Sequence, residues 1–288
     1  MNKVIVSIII FFTLLISNVI LAQDFDIKEK NLKMLFDSLF YRDNIKFLRT
    51  DSEKIALNDT IQKLFYNLLS EENSFNNKFD SLKHIGELVS KDNLCRIITW
   101  NLKFSDGSFK YYGFIQYNNE KRNSMQTYLL ADKSDSVTNP ETAVLSYFSW
   151  YGALYYDMYN YDFKGKNYYI LFGWDGNNYY TNKKIIEVLT FNNNSKPTFG
   201  KPVFKIGNKV QKRMIFEFSI KATMTCKFNE TVNAIVFDHI SPESKLKTGQ
   251  YQFYGPDGTF DGLRLEKGKW VLVPDIYVTN PKTKKIKK

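Results

Sequence analysis

A chain of 288 residues is long enough for one large domain or two modest ones. Its formal charge of +10 suggests nucleic acid, but Lys3 and the five lysines of residues 282–288 carry six of those charges, which leaves +4 on the body between them and argues against that partner. Two histidines and two cysteines give zinc clusters and histidine-activated nucleophiles few residues to draw on.

The chain opens with Asn2-Lys3, runs almost wholly apolar from Val4 to Leu21, and places Ala22 before Gln23. That pattern predicts a secretory signal peptide over residues 1–22, cleaved after Ala22. An uncleaved anchor is the rival, because eighteen apolar-rich positions reach the lower limit for a span. Ser17, Asn18 and the small residue that follows favour removal, after which no membrane span is expected. The expected location is the periplasm or the cell surface. There, Cys95 and Cys226 have two readings, a disulfide or two small core residues.

Residues 23–92 read as a helical region. Leu32, Leu35, Phe36, Leu39 and Phe40 fall on one helix face. Thr50-Asp51-Ser52-Glu53 has the capping-box form and precedes a second stripe of Ile61, Leu64, Phe65, Leu68 and Leu69. Ser74 is placed to cap a third helix carrying Phe75, Phe79, Leu82, Ile85, Leu88 and Val89. These stripes are read as core-facing, and His84, between the residues of the third, as structural or solvated.

From Leu94 the period changes from 3.6 to 2, and residues 93–279 read as one antiparallel β domain before a basic, disordered tail at 280–288. Ile98, Trp100, Leu102 and Phe104 alternate with polar residues, and Asp106-Gly107 turns the chain into Phe109–Ile115. Met125–Leu130 follows, then a polar loop and an Asn139-Pro140-Glu141 helical turn. Beyond the central hairpin come Lys184–Phe191, a Pro- and Gly-broken crossing from Pro197 to Lys209, and alternating runs around Phe216, Cys226 and Val236. Lys267-Gly268 makes the last hairpin. The fold class is therefore α+β, mostly β: N-terminal helices followed by a large antiparallel meander of sandwich or barrel kind. A propeller needs a fixed repeat, and the sequence has none.

The densest aromatic stretch is the hairpin from Tyr147 to Asn178, broken at Lys164-Gly165. Its alternation assigns Leu154, Tyr156 and Met158, with Ile170, Phe172 and Trp174, to the core. It leaves Tyr155, Asp157 and Tyr159 nearer solvent.

Phe79-Asp80-Ser81-Leu82-Lys83, Arg96-Ile97-Ile98-Thr99-Trp100-Asn101, Trp150-Tyr151-Gly152-Ala153-Leu154-Tyr155-Tyr156, Gly173-Trp174-Asp175-Gly176-Asn177 and Tyr251-Gln252-Phe253-Tyr254-Gly255-Pro256-Asp257 together resemble an uncharacterised family of exported proteins from Bacteroidota, over about Phe75 to Asp275. The resemblance implies a bacterial source and an envelope or extracellular location. It brings no catalytic residue, because that family has no assigned activity.

Asp175-Gly176-Asn177-Asn178 and Asp257-Gly258-Thr259-Phe260-Asp261-Gly262 set oxygens in glycine turns, but neither completes a calcium loop, so no metal or other cofactor is expected. Asp157, Asp175, Asp257 and Asp261 are the carboxylates available for glycoside hydrolysis, which needs two of them facing across a sugar. Asp238-His239-Ile240-Ser241 has triad residue types, but neighbours on a strand point to opposite faces. Aromatic surface remains. Tyr155, Tyr159, Tyr161, Trp174, Tyr179 and Tyr180, with Asp175, are the candidate ligand-binding residues, since rings stack on sugars and turn amides bond their hydroxyls. The expectation is an exported non-catalytic binding or structural module of the cell envelope with a glycan or protein partner. The alternative is a carboxylate-dependent envelope hydrolase acting on glycans.

Overall fold

The structure, a computed structural model, describes residues 24–40, 49–71, 74–119 and 124–278. The expected leader at residues 1–22 and the lysine tail at 280–288 lie outside the described residues. The chain divides into two compact units, Met1–Ile85 and Gly86–Lys288. The fold is α+β and mostly β, with helices first and antiparallel sheets after them, as the change of period predicts.

In the first unit, α1 (residues 24–40) buries Leu32, Phe36 and Leu39, and α2 (Asp51–Leu69) buries Ile61, Phe65 and Leu68. The capping box forms as read: Thr50 Oγ1 accepts from the Glu53 amide at 3.3 Å, and the Glu53 carboxylate accepts from the Thr50 amide at 2.7 Å. Two of the four orphan donors of the helix start are thereby satisfied. Phe65 stands edge-on to Phe36 at 6.2 Å and to Phe79 at 4.9 Å.

The third helix does not form. Ser74–Asn76 makes one 3-10 turn, residues 77–85 are irregular, and Gly86–Val89 is a strand. Phe79 and Leu82 are buried as a helical stripe would bury them, but Leu88 and Val89 pair with Ile97 and Arg96. Strand pairing satisfies those backbone groups, and it overrides a weak local preference. His84 sits in this irregular stretch, stacked on Phe40 at 4.6 Å and 3.4 Å from Asp37.

The second unit stacks three open sheets. The first is β1 (Gly86–Val89), β2 (Cys95–Lys103), β3 (Phe109–Asn119) and β4 (Ser124–Ala131), paired in that order. The central sheet runs β5 (Leu145–Ser146), β9 (Pro197–Phe199), β8 (Thr181–Phe191), β7 (Lys166–Asp175) and β6 (Leu154–Phe163). Its β8 also pairs with β12 (Arg213–Ser219). The third sheet runs β11 (Lys209–Gln211), β10 (Phe204–Ile206), β16 (Lys269–Val273), β15 (Tyr254–Glu266), β14 (Ala234–Pro242) and β13 (Cys226–Asn229). Among the described strands no sheet closes on itself, so the architecture is a layered sandwich and not a barrel or propeller. Among the described strands antiparallel pairing has one exception, β10 beside β16. The Pro197–Lys209 stretch does cross between sheets, since β9 belongs to the central sheet and β10 to the third.

Turn chemistry fixes the hairpins. Lys164-Gly165 (φ 55° and 70°) and Lys267-Gly268 (49° and 79°) are two-residue turns with both positions left-handed. At Asp106-Gly107 only the glycine takes positive φ, 83°, and the Asp106 carboxylate accepts the Ser108 amide at 2.9 Å. That turn is one residue wider than the two-residue form expected.

The central sheet is covered on both faces. Tyr169, Leu171, Ile185 and Leu189 pack with Ile97, Tyr111 and Ile115 of the first sheet, while Ile170, Phe172, Ile186 and Val188 pack with Ile235, Phe237, Leu263 and Trp270 of the third. Strands buried on both faces lose the apolar–polar alternation of a half-exposed sheet, and Tyr169-Ile170-Leu171-Phe172 does so without a break. Cys95 lies in one of these cores and Cys226 in the other, both buried and unpaired, so the disulfide reading falls.

Candidate functional site

The tyrosine face expected to bind does not exist as one surface. A β-bulge between Tyr155 and Asp157 shifts the register of β6 against β7. Before the bulge Tyr155 points inward and is 1% exposed. After it, Met158 packs toward the first sheet while Tyr159 and Tyr161 pack toward the third. The expected pairing of Met158 with Ile170 and Phe172 is therefore reversed, because one extra residue in a strand of period two exchanges its faces. Tyr156, assigned to the core, is 37% exposed.

Each candidate then has its own place. The Tyr155 hydroxyl donates to Glu187 and accepts from Trp150 Nε1 at 2.8 Å, which makes it a core anchor. Burial beside that carboxylate pushes its phenol well above the usual range. Tyr159 stacks on Phe228 at 3.7 Å and Tyr161 on Tyr168 at 5.2 Å, both edge-on to Trp270. Trp174 is half-buried and edge-on to Phe109 at 5.5 Å. Asp175 is 7% exposed and accepts from the Tyr111 hydroxyl at 2.9 Å and the Asn177 amide at 2.8 Å. Burial raises its carboxyl, and these donors only partly offset the rise. Tyr179 (52% exposed) and Tyr180 (70%) are the two candidates open to solvent. Tyr179 is held, its hydroxyl donating to the Ser105 carbonyl at 2.5 Å.

What the structure does assemble is a groove of about 900 Å³ that the sequence reading passed over as loops. It lies where β3 and β8 end and β7 begins, beside the Lys164-Gly165 turn. Tyr117 of β3 lies flat on Phe191 of β8, 3.6 Å between centroids and 11° between planes. Tyr168 adds a third ring, and Asn118, Asn119, Asn167, Asn192, Asn193 and Asn194 add amides. The Asn192 carboxamide oxygen accepts the amides of Asn194 at 2.9 Å and Lys196 at 3.1 Å, so that turn is built by its own side chain. Asn119 Nδ2 donates to Ser195 Oγ at 2.5 Å, tying the first sheet to the central one across the groove.

Lys166 and Lys201 are the only formal charges among the described lining residues. Amides both donate and accept, and rings stack, while the described lining holds no carboxylate, histidine or cysteine. The groove can hold a polar ligand. A signal for it was present in the sequence, since Asn118-Asn119 and Asn192-Asn193-Asn194 each follow an aromatic strand end.

Of the carboxylates considered for hydrolysis, Asp257 and Asp261 come together. His239 Nδ1 is 2.8 Å from Asp261 and Nε2 is 3.9 Å from Asp257. The hydrogen bond to Asp261 raises the imidazole above its ordinary range. These carboxylates are spent on the histidine, and none of the three side chains lines the groove. Asp157 and Asp175 do not face each other: Asp175 turns toward the first sheet with Tyr111, and the Asp157 carboxylate accepts the Met158 amide at 2.8 Å. No grouping of histidine, cysteine and carboxylates suited to a metal occurs among the described residues. No helix among them is long and apolar enough to cross a membrane. Comparison with family models, curated proteins and solved structures finds no match.

Proposed function

We propose that this protein is a non-catalytic glycan-binding module of the bacterial envelope, and that it binds through the asparagine groove at the end of β3 and β8. The observation that carries the reading is the lining: three aromatic rings and six carboxamides, with no carboxylate among the described residues. Sugar rings present C–H faces to aromatics and hydroxyls to groups that both donate and accept. A volume near 900 Å³ takes more than one sugar unit, which suits a polymer. Export rests on the leader read in residues 1–22 and on the family resemblance, and N-terminal sequencing of exported material is expected to find Gln23 first, whereas a retained Met1 would overturn it.

The test is affinity electrophoresis of the mature chain through gels containing soluble xylan, mannan or β-glucan. Retardation by at least one of these is expected, and the pair Asn193→Ala and Asn194→Ala should abolish it without lowering the Tm, while Tyr168→Ala should abolish it at some cost in Tm because its ring also stacks on Tyr161. Retention unchanged by these substitutions, or absent on every polysaccharide, overturns the reading.

A further inference from the structure

At the other end of β8 lies a second, smaller concavity of about 260 Å³. β8 begins there at Thr181 and ends in the groove at Phe191. Its strand rise of ~3.3 Å per residue puts roughly 33 Å between the two sites. Tyr180, Tyr251, Gln252, Asn178, Thr181 and Glu217 line it.

Glu217 is the only formal charge among those lining residues, in a chain whose net charge is +10. Its Oε1 accepts from Thr181 Oγ1 at 2.7 Å and from Asn177 Nδ2 at 3.1 Å, two bonds that fix the carboxylate in place. Lys183 stands opposite it across the β8–β12 pair, but donates to Asn177 Oδ1 at 2.8 Å and lies 4.0 Å from Asp175. Glu217 thus has no cation within ion-pair distance among the described residues. Beside it Tyr180 is 70% exposed and Tyr251 is 44% exposed. Tyr251 is steadied by Tyr254, 5.0 Å away between ring centroids.

A fixed carboxylate between exposed phenol rings repels anions and attracts cations, through its charge and through the negative faces of the rings. A neutral hydroxylated ligand would gain the stacking without the charge. We propose that this pocket binds a small organic cation, an alkylammonium group presented by a ligand or partner. The site is separate from the groove and does not depend on glycan binding.

Isothermal titration of the whole mature chain at low ionic strength tests it, with choline and n-butylamine as probes and glucose as the neutral control. Saturable binding of one of the amines is expected, with a Kd on the order of millimolar for so open a site. Tighter binding of choline assigns the pocket to quaternary ammonium groups, and tighter binding of n-butylamine to primary ones. Glu217→Gln keeps an acceptor for Thr181 and should weaken the amine roughly tenfold. Tyr251→Ala, at an exposed position, should weaken it several-fold and carries the test if Glu217→Gln fails to fold. Tyr168→Ala, in the groove, should leave it unchanged. No saturable heat up to about 100 mM amine, equal binding of glucose, or an amine affinity indifferent to both Glu217→Gln and Tyr251→Ala would overturn the proposal.

Discussion

The two faces of the central sheet are equally buried and chemically opposite. Toward the third sheet, Ile170, Phe172, Ile186, Val188, Met214 and Phe218 pack in a cluster of apolar and aromatic side chains that includes Trp270, Tyr159 and Tyr161. Toward the first, the same strands bury Glu187 and Arg213, both 0% exposed, together with Tyr155 and Trp150. There Glu187 Oε2 accepts from Arg213 Nε at 2.8 Å and Nη2 at 2.6 Å, while Oε1 takes the Tyr155 hydroxyl. Arg213 Nη1 donates a hydrogen bond to the Pro140 carbonyl, and the Tyr151 ring lies 5.4 Å from the guanidinium. Dry packing is tolerant of position, whereas a buried ion pair is stable only where every bond is met. The polar face therefore fixes the register of β12 on β8, since Arg213 lies directly opposite Glu187.

The largest effects break each face in its own way. Phe172→Ala should cost roughly 3–5 kcal/mol as lost burial plus cavity. Arg213→Met should cost about as much, because it leaves the Glu187 carboxylate buried without a partner. A second substitution separates the two mechanisms. Glu187→Leu added to Arg213→Met should recover most of the loss in urea unfolding, and a double mutant less stable than Arg213→Met alone would refute the account of the polar face.

A middle-sized effect sharpens the contrast between tyrosines. Tyr155→Phe should cost about 1–3 kcal/mol, as it strands the Trp150 N–H and one oxygen of Glu187. Tyr159→Phe, which loses a hydroxyl but keeps the ring stacked on Phe228, should stay within about 0.5 kcal/mol. Equal costs in thermal unfolding would mean that the Tyr155 hydroxyl anchors nothing.

Those tyrosines also show what the sequence could and could not carry. The capping box at Thr50 and the two Lys-Gly turns are local signals, and each appears where its residues stand, whereas strand structure begins at Gly86, ahead of the change of period at Leu94. The bulge at Tyr155–Asp157 has no local mark, no glycine or proline, so Met158 and Tyr159 of β6 face opposite to the reading from alternation, while Ile170 and Phe172 of β7 are core as read. The Glu187–Arg213 pair joins residues 26 apart, and the groove joins strand ends and turns from three hairpins. Such sites follow from topology, which periodicity does not contain.

The smallest expected effect comes from a charge pair at the surface, the counterpart of the buried one. His239 bonds Asp261 at 2.8 Å but leaves 46% of its side chain in water. Asp261 raises its folded-state pKa above the ordinary 6.5. A group whose pKa rises on folding stabilises the protein fully below the unfolded pKa and loses that contribution as pH climbs through the folded one. Stability should therefore fall slightly from pH 6 upward through the raised pKa, by a few tenths of a kcal/mol once solvent screening is counted. His239→Gln should flatten that slope while leaving the pH 8 stability nearly unchanged. The measurement is the difference in Tm between pH 6 and pH 8 for the two proteins. If both show the same difference, the His239–Asp261 contact contributes nothing in solution.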